Sequence, residues 1–154
     1  MTQELMQALT LAGGYAAVGF AAIGSALGTG AAGASAIGAW KKCYAQNKPA
    51  PFLLMAFAGA PLSQTIYGMI MLIFIKGKVA DMAQFWPLYL MMGVAGGIAM
   101  GISAWYQGKA AAGGCNSFAE TGKGFANNLM VLGIIETVAI FALVFSLLAM
   151  PTGQ

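Results

Sequence analysis

Glu136 lies inside Val131-Leu-Gly-Ile-Ile-Glu-Thr-Val-Ala-Ile-Phe141 and is the only charged side chain between Lys123 and the last residue. A charge at the middle of a membrane helix costs about 2.5–3.5 kcal/mol on insertion scales, so a carboxylate kept there has a task, by default to hold an ion or a proton. A second polar group of residues stands in Ala60-Pro-Leu-Ser-Gln64, followed by Tyr67. Ser63 and Tyr67 are four apart and Gln64 and Tyr67 three apart, so helical winding puts them on one broad face. Pro61 has no N–H and disturbs the helical ladder, which frees carbonyl oxygens nearby. With Gln107, the set comprises a hydroxyl, two amide oxygens and one carboxylate, with a backbone carbonyl within reach. Hard cations select such oxygens. One carboxylate neutralises one monovalent ion, whereas calcium calls for two charges and magnesium for waters or phosphates. The plainer alternative is that Ser63, Gln64 and Gln107 bond one another across helices as packing contacts; Glu136 at the same depth favours the ion. Tyr67 lies too deep for an interfacial anchor and reads as a hydrogen-bond partner of Glu136, while Trp105 and Tyr106 read as packing residues.

Helices must position these groups. The chain has 154 residues, 60% hydrophobic and 7% charged, against about 25% charged in a soluble domain. Four stretches carry no charge: 5–40, 49–75, 82–108, and 124–154 apart from Glu136. Each exceeds the roughly 20 residues that cross a bilayer as a helix. They lack the period-two alternation of a barrel. Four transmembrane helices are expected, near 10–40, 51–75, 84–115 and 124–149. The chain reads as two duplicated helical hairpins, 1–80 and 81–154. Each opens with a Gly-rich helix and closes with a bulkier one. The small residues (Gly13 to Gly38 in the first helix, Gly93 to Gly114 in the third) let backbones approach closely. Helices one and three are therefore expected to form an inner layer, with two and four outside. Gln64 and Glu136 occupy corresponding positions of the two hairpins. Measured from turns near Asn47 and Gly122, they lie about 26 and 22 Å along their helices. Folding back places Thr29 near the level of Gln64, and Gln107 near that of Glu136.

The net charge of +3 comes from seven Lys with no Arg, all in or near the connections. Membrane orientation explains this better than nucleic acid, and no nucleic-acid partner is expected. Lys41, Lys42 and Lys48 lie in the first connection, and Lys109 and Lys123 with Glu120 in the third. By the positive-inside rule these connections face the cytoplasm, and the termini and middle loop face outside. Glu4 is the only charge before Lys41, so the start reads as part of the first helix and not as a cleaved leader. There is no His, and Cys43 and Cys115 read as free thiols near helix ends. Gly28-Thr-Gly-Ala-Ala-Gly33 matches a dinucleotide pattern, but no strand precedes it and helix packing explains it. Thr121-Gly-Lys-Gly124 reads as a turn and not as a phosphate loop. The chain is expected to use no cofactor and to hydrolyse no ATP.

Four helices, a doubled Gly-rich hairpin and a carboxylate only in the fourth helix resemble the 16-kDa proteolipid of V-type ATPases, the c or K subunit of the membrane rotor ring. The most specific segments are Pro61-Leu-Ser-Gln-Thr-Ile-Tyr-Gly68, Gln107-Gly-Lys-Ala-Ala-Ala-Gly113 and Ile135-Glu-Thr-Val-Ala139, and they resemble the bacterial sodium-pumping members. The resemblance implies an all-α membrane protein assembled into a homo-oligomeric rotor ring in the bacterial cell membrane. Glu136 would be the ion-carrying carboxylate. Ser63, Gln64 and Gln107 would lend Na+ their side-chain oxygens, Ala60 its carbonyl, and Tyr67 would hold Glu136 in place. Ser63 stands where a Thr is often found, and Ala60 where a bulkier residue is. The implied partners are membrane lipid, a stator subunit bearing an Arg, and the central-stalk subunits of an ATP-hydrolysing sector; the chain itself would be non-catalytic. Two rivals remain open: a proton ring, and a non-rotary structural or pore-forming proteolipid.

Overall fold

The computed structural model describes residues 1–152, and every described regular element is helical. Helix α1 spans Gln3–Ala45. Thr2 caps it by accepting from the Leu5 N–H, and Glu4 sits in the first turn, where a negative charge suits the helix dipole. It ends before Asn47, whose φ of 53° reverses the chain. The return helix is continuous over Leu54–Lys76 but changes pitch. It comprises α2 (Leu54–Gly59), a 3-10 turn over Ala60–Leu62 that accommodates Pro61, and α3 (Ser63–Lys76). A short helix α4 (Val79–Met82) and a 3-10 turn lead into α5 (Trp86–Thr121), with Pro87 in its first turn. Gly122 and Gly124, at φ 66° and 79°, form the tight reversal into α6 (Phe125–Leu148).

Four of the resulting helices are long and apolar enough to cross a membrane. The four expected spans are thus present, but two are longer than their apolar cores. α1 has 43 residues, about 65 Å, roughly twice a 30 Å hydrocarbon layer. α5 continues to Thr121, beyond the expected end near 115. The overhang joins the first and third connections at one end of the molecule, where Lys42 and Glu120 form an exposed ion pair at 2.5 Å. Nearby, Trp40 Nε1 donates to Pro51 O at 2.8 Å, and Phe57, Phe118 and Phe125 cluster, Phe57 and Phe118 edge to face and the other two pairs tilted.

Glycines set the central seam. α1 and α5 run parallel, and a Cβ added at Gly24, Gly93 or Gly108 would overlap the main chain of Gly101, Gly13 or Gly28 respectively. Such contact is possible only without side chains. α3 folds back along α1, with Gly68 against Ala17 and Ala21, and Gly28 against Pro61. α6 folds back along α5. The small-residue helices therefore meet directly, and α3 and α6 carry bulkier residues on their outer faces. Ile66, Ile73, Phe74, Ile134, Phe141, Phe145 and Leu148 are all exposed there. An apolar exterior around four spanning helices fits a membrane proteolipid.

Trp105 and Tyr106 differ from expectation. They are 39% and 54% exposed, and Lys109 Nζ stands 4.1 Å from the Trp105 ring centroid. They lie on the outer surface of α5, because the inward positions Ser103, Ala104 and Gln107 already face the other helices. Thr29 also differs. Gly28 meets Pro61, so Thr29 lies about one turn from the level of Gln64, and its hydroxyl bonds Ser25 O at 2.8 Å on its own helix. The non-helical stretch after Asn47 takes up the length that a tight hairpin would have placed opposite Gln64.

Candidate ion-binding site

Glu136 is the twelfth of the 24 residues of α6, midway along the span. It is half-buried, whereas Gln64 on α3 and Gln107 on α5 are fully buried. One hydrogen-bonded chain joins the three helices. The Tyr67 hydroxyl donates to Glu136 Oε1 at 2.6 Å. Gln107 Nε2 donates to Glu136 Oε2 at 3.2 Å and to Leu132 O at 3.0 Å. Gln107 Oε1 accepts from Gln64 Nε2 at 2.9 Å. Ser63 Oγ lies 3.2 Å from both Gln64 Oε1 and Ala60 O. Ala60, Ser63, Gln64, Tyr67, Gln107 and Glu136 are therefore all brought together.

Local structure accounts for each position. The 3-10 turn at Pro61 tilts Ala60 O toward Ser63, the first residue of α3. Winding of α3 then puts Gln64 inward and Tyr67 one turn further along, over Glu136. On α5, Ser103 Oγ donates to Ile135 O at 2.9 Å, which fixes the register of α6 one residue before Glu136. Gln107 follows one turn later and bridges α6 to α3.

The arrangement divides into two parts. Three oxygens (Ala60 O, Ser63 Oγ and Gln64 Oε1) gather at the start of α3. The carboxylate stands beyond Gln107 and is held by two donors. Gln107 turns its nitrogen to the carboxylate and its oxygen to Gln64, whereas a cation ligand would present the oxygen. Among the described residues, no group of three or more His, Cys, Asp or Glu comes together. A cation here would rely on neutral oxygens around a single carboxylate, which suits one positive charge. Cys43 and Cys115 are free and buried; their thiols face Ala119 O, and Ala32 O and Leu54 O, well away from this network.

The half of the chain that carries Gln107 and Glu136 also has a recognisable sequence. Residues 90–149 match the family model for the C subunit of ATP synthase. The match spans most of α5 and all of α6 and stops short of Ala60, Ser63, Gln64 and Tyr67. No curated protein matches the chain. Residues 90–149 are thus similar to that family, and four helices are long and apolar enough to cross a membrane.

One buried polar residue gave no signal in the sequence. Ser25 of α1 is 2% exposed, and its hydroxyl has no hydrogen-bond partner. Among Gly and Ala residues, a small hydroxyl is indistinguishable from a packing residue.

Proposed function

We propose that the chain is a rotor-ring subunit of a V-type ATPase, carrying Na+ on Glu136 while ATP is hydrolysed in other subunits. The observation that carries this reading is the network joining Glu136 to Gln107, Gln64, Ser63 and Tyr67 across α3, α5 and α6. A carboxylate that only takes up protons needs few oxygen neighbours. The V-type assignment rests on four helices in two Gly-rich hairpins, with an amide in the first hairpin where the second has its carboxylate.

The mechanism follows from charge. With Na+ bound, the site has no net charge and can turn through lipid. Without it, Glu136 is a bare charge, and leaving it in hydrocarbon costs about 2.5–3.5 kcal/mol. It then stays beside a stator Arg, whose guanidinium suits a carboxylate and helps expel the next ion. Being half-buried on the outer side of the helix pair, Glu136 is accessible both to a neighbouring copy and to such a stator. Exposed Phe20, Ile23, Leu27 and Ile102 flank a groove along the α1–α5 seam and offer apolar surface for packing copies into a ring. As Na+ enters, Gln107 Nε2 releases Glu136 Oε2, Gln107 Oε1 turns its second lone pair to the ion while still accepting from Gln64 Nε2, and Tyr67 keeps its bond to Glu136 Oε1. Rings purified in mild detergent should be closed homo-oligomers; a strictly monomeric chain in detergent and in native membranes would refute the assembly.

A proton rotor is the second reading. It is favoured by the completeness of the network: both carboxylate oxygens and both amide groups already have protein partners. The discriminating experiment is Na+ transport by the reconstituted enzyme. The sodium reading expects transport that rises and saturates with Na+ and is lost in Glu136→Gln; transport that follows pH alone selects the proton.

A further inference from the structure

Ser25 has a buried, unpaired hydroxyl. Such groups are costly, and native structures give nearly all of them a partner. Its direction follows from its helix. Gly14, Val18, Ala21 and Ser25 recur at the spacing of one helical face. That face meets α3: Leu72 closes the space at Gly14, and Val18 and Ala21 close the space at Gly68. Farther along, Gly28 meets Pro61. Because α1 and α3 are antiparallel, Ser25 falls between these contacts, opposite Gln64 and Thr65. Gln64 Nε2 makes a single hydrogen bond, to Gln107 Oε1, although an amide nitrogen carries two hydrogens. No hydrogen bond joins the two groups in this structure, but a fully buried amide with a spare N–H and a buried hydroxyl without a partner lie at the same level of adjacent helices.

The geometry points to Ser25 as a positioning residue of the ion site: in the ion-loaded state its hydroxyl oxygen accepts the second N–H of Gln64, a bond one small side-chain rotation away from the ion-free arrangement seen here. Held between Ser25 and Gln107, the amide nitrogen stays toward α1 and α5, and Gln64 Oε1 stays beside Ser63 Oγ and Ala60 O. An amide free to flip would present its N–H to a cation and repel it; the hydroxyl of Ser25 removes that choice. This role rests on the reading that Gln64 offers its oxygen to Na+.

The test measures carbodiimide labelling of Glu136 in purified rings against Na+ concentration. Ser25→Ala is expected to raise the half-protecting Na+ concentration about three- to tenfold, the effect of one neutral hydrogen bond. Ring size and the labelling rate without Na+ stay unchanged. Ser25→Gly, which this Gly-rich helix accommodates, reproduces the shift, and Thr65→Val does not. On a Gln64→Met background, Ser25→Ala adds no further shift, because its effect passes through the amide. If Na+ protects the unmodified ring and neither Ser25 variant shifts the protection, the assignment is overturned. An equal shift on the Gln64→Met background overturns it too, since that is what a packing role gives. Labelling of the unmodified ring that ignores Na+ refutes the sodium reading, and the role of Ser25 with it.

Discussion

Replacing Gln64 by Met removes an amide while keeping an unbranched side chain of similar length, so no cavity opens in a fully buried position. Two interactions are lost, and they affect different quantities. The bond from Gln64 Nε2 to Gln107 Oε1 uses the nitrogen and leaves Oε1 beside Ser63 Oγ, so it can persist whether or not an ion is bound. Its loss strips a buried oxygen of its partner at about 1–3 kcal/mol in both states. That cost cancels from ion affinity and appears as weaker resistance of the ring to heat or detergent. The contact between Oε1 and Na+ exists only in the loaded state. At about 1.5–3 kcal/mol for a bond to a charged group, its loss weakens Na+ binding by roughly ten- to a hundredfold. Gln107→Met should weaken it less, because the lost ion contact is offset by the loss, in the ion-free state, of the bond from Gln107 Nε2 to Glu136 Oε2. Radioactive Na+ binding to purified rings measures both variants, with intact ring size as the control. Unchanged Na+ affinity in Gln64→Met, with the ring assembled, would refute the claim that this oxygen serves the ion.

Two further expectations concern packing and orientation. Gly24→Val should abolish assembly, because even its Cβ would overlap the Gly101 main chain; rings of normal size recovered from detergent extracts of this variant would refute the close α1–α5 seam. With Cys43 and Cys115 replaced, Lys48→Cys should react with an impermeant thiol reagent only from the cytoplasmic side, as the Lys-rich connections imply; reaction only from outside would invert the topology.

The number of helices was legible because lipid requires long charge-free runs, and four such runs are present. Their ends were less so. Apolarity marks where a helix meets lipid and not where its hydrogen bonds stop, so the extensions of α1 to Ala45 and of α5 to Thr121 depend on turn chemistry at Asn47 and Gly122. The direct meeting of α1 and α5 followed from where the glycines fall. The convergence of Gln64, Gln107 and Glu136 was accessible from helical rise alone, as was the place of Tyr67 one turn beyond Ser63. The direction of each amide was not. Whether Gln107 gives its nitrogen or its oxygen to Glu136 depends on which partners the neighbouring helices supply, here Leu132 O and Gln64 Nε2. A tight first hairpin puts Thr29 level with Gln64; the non-helical stretch after Asn47 shifts it by about one turn, with Gly28 against Pro61.

The central claim is that Glu136 and its neighbouring oxygens hold Na+. Carbodiimide reacts with a carboxyl group that is protonated and unoccupied, so its reaction at Glu136 in purified, unmodified rings, followed over a range of Na+ concentrations at fixed pH, tests the claim most directly. Labelling should slow as Na+ rises, with saturation at one ion per chain, and Glu136→Gln rings should neither label there nor bind Na+. Labelling at a rate indifferent to Na+ and set by pH alone would contradict the account and leave Glu136 as a proton carrier.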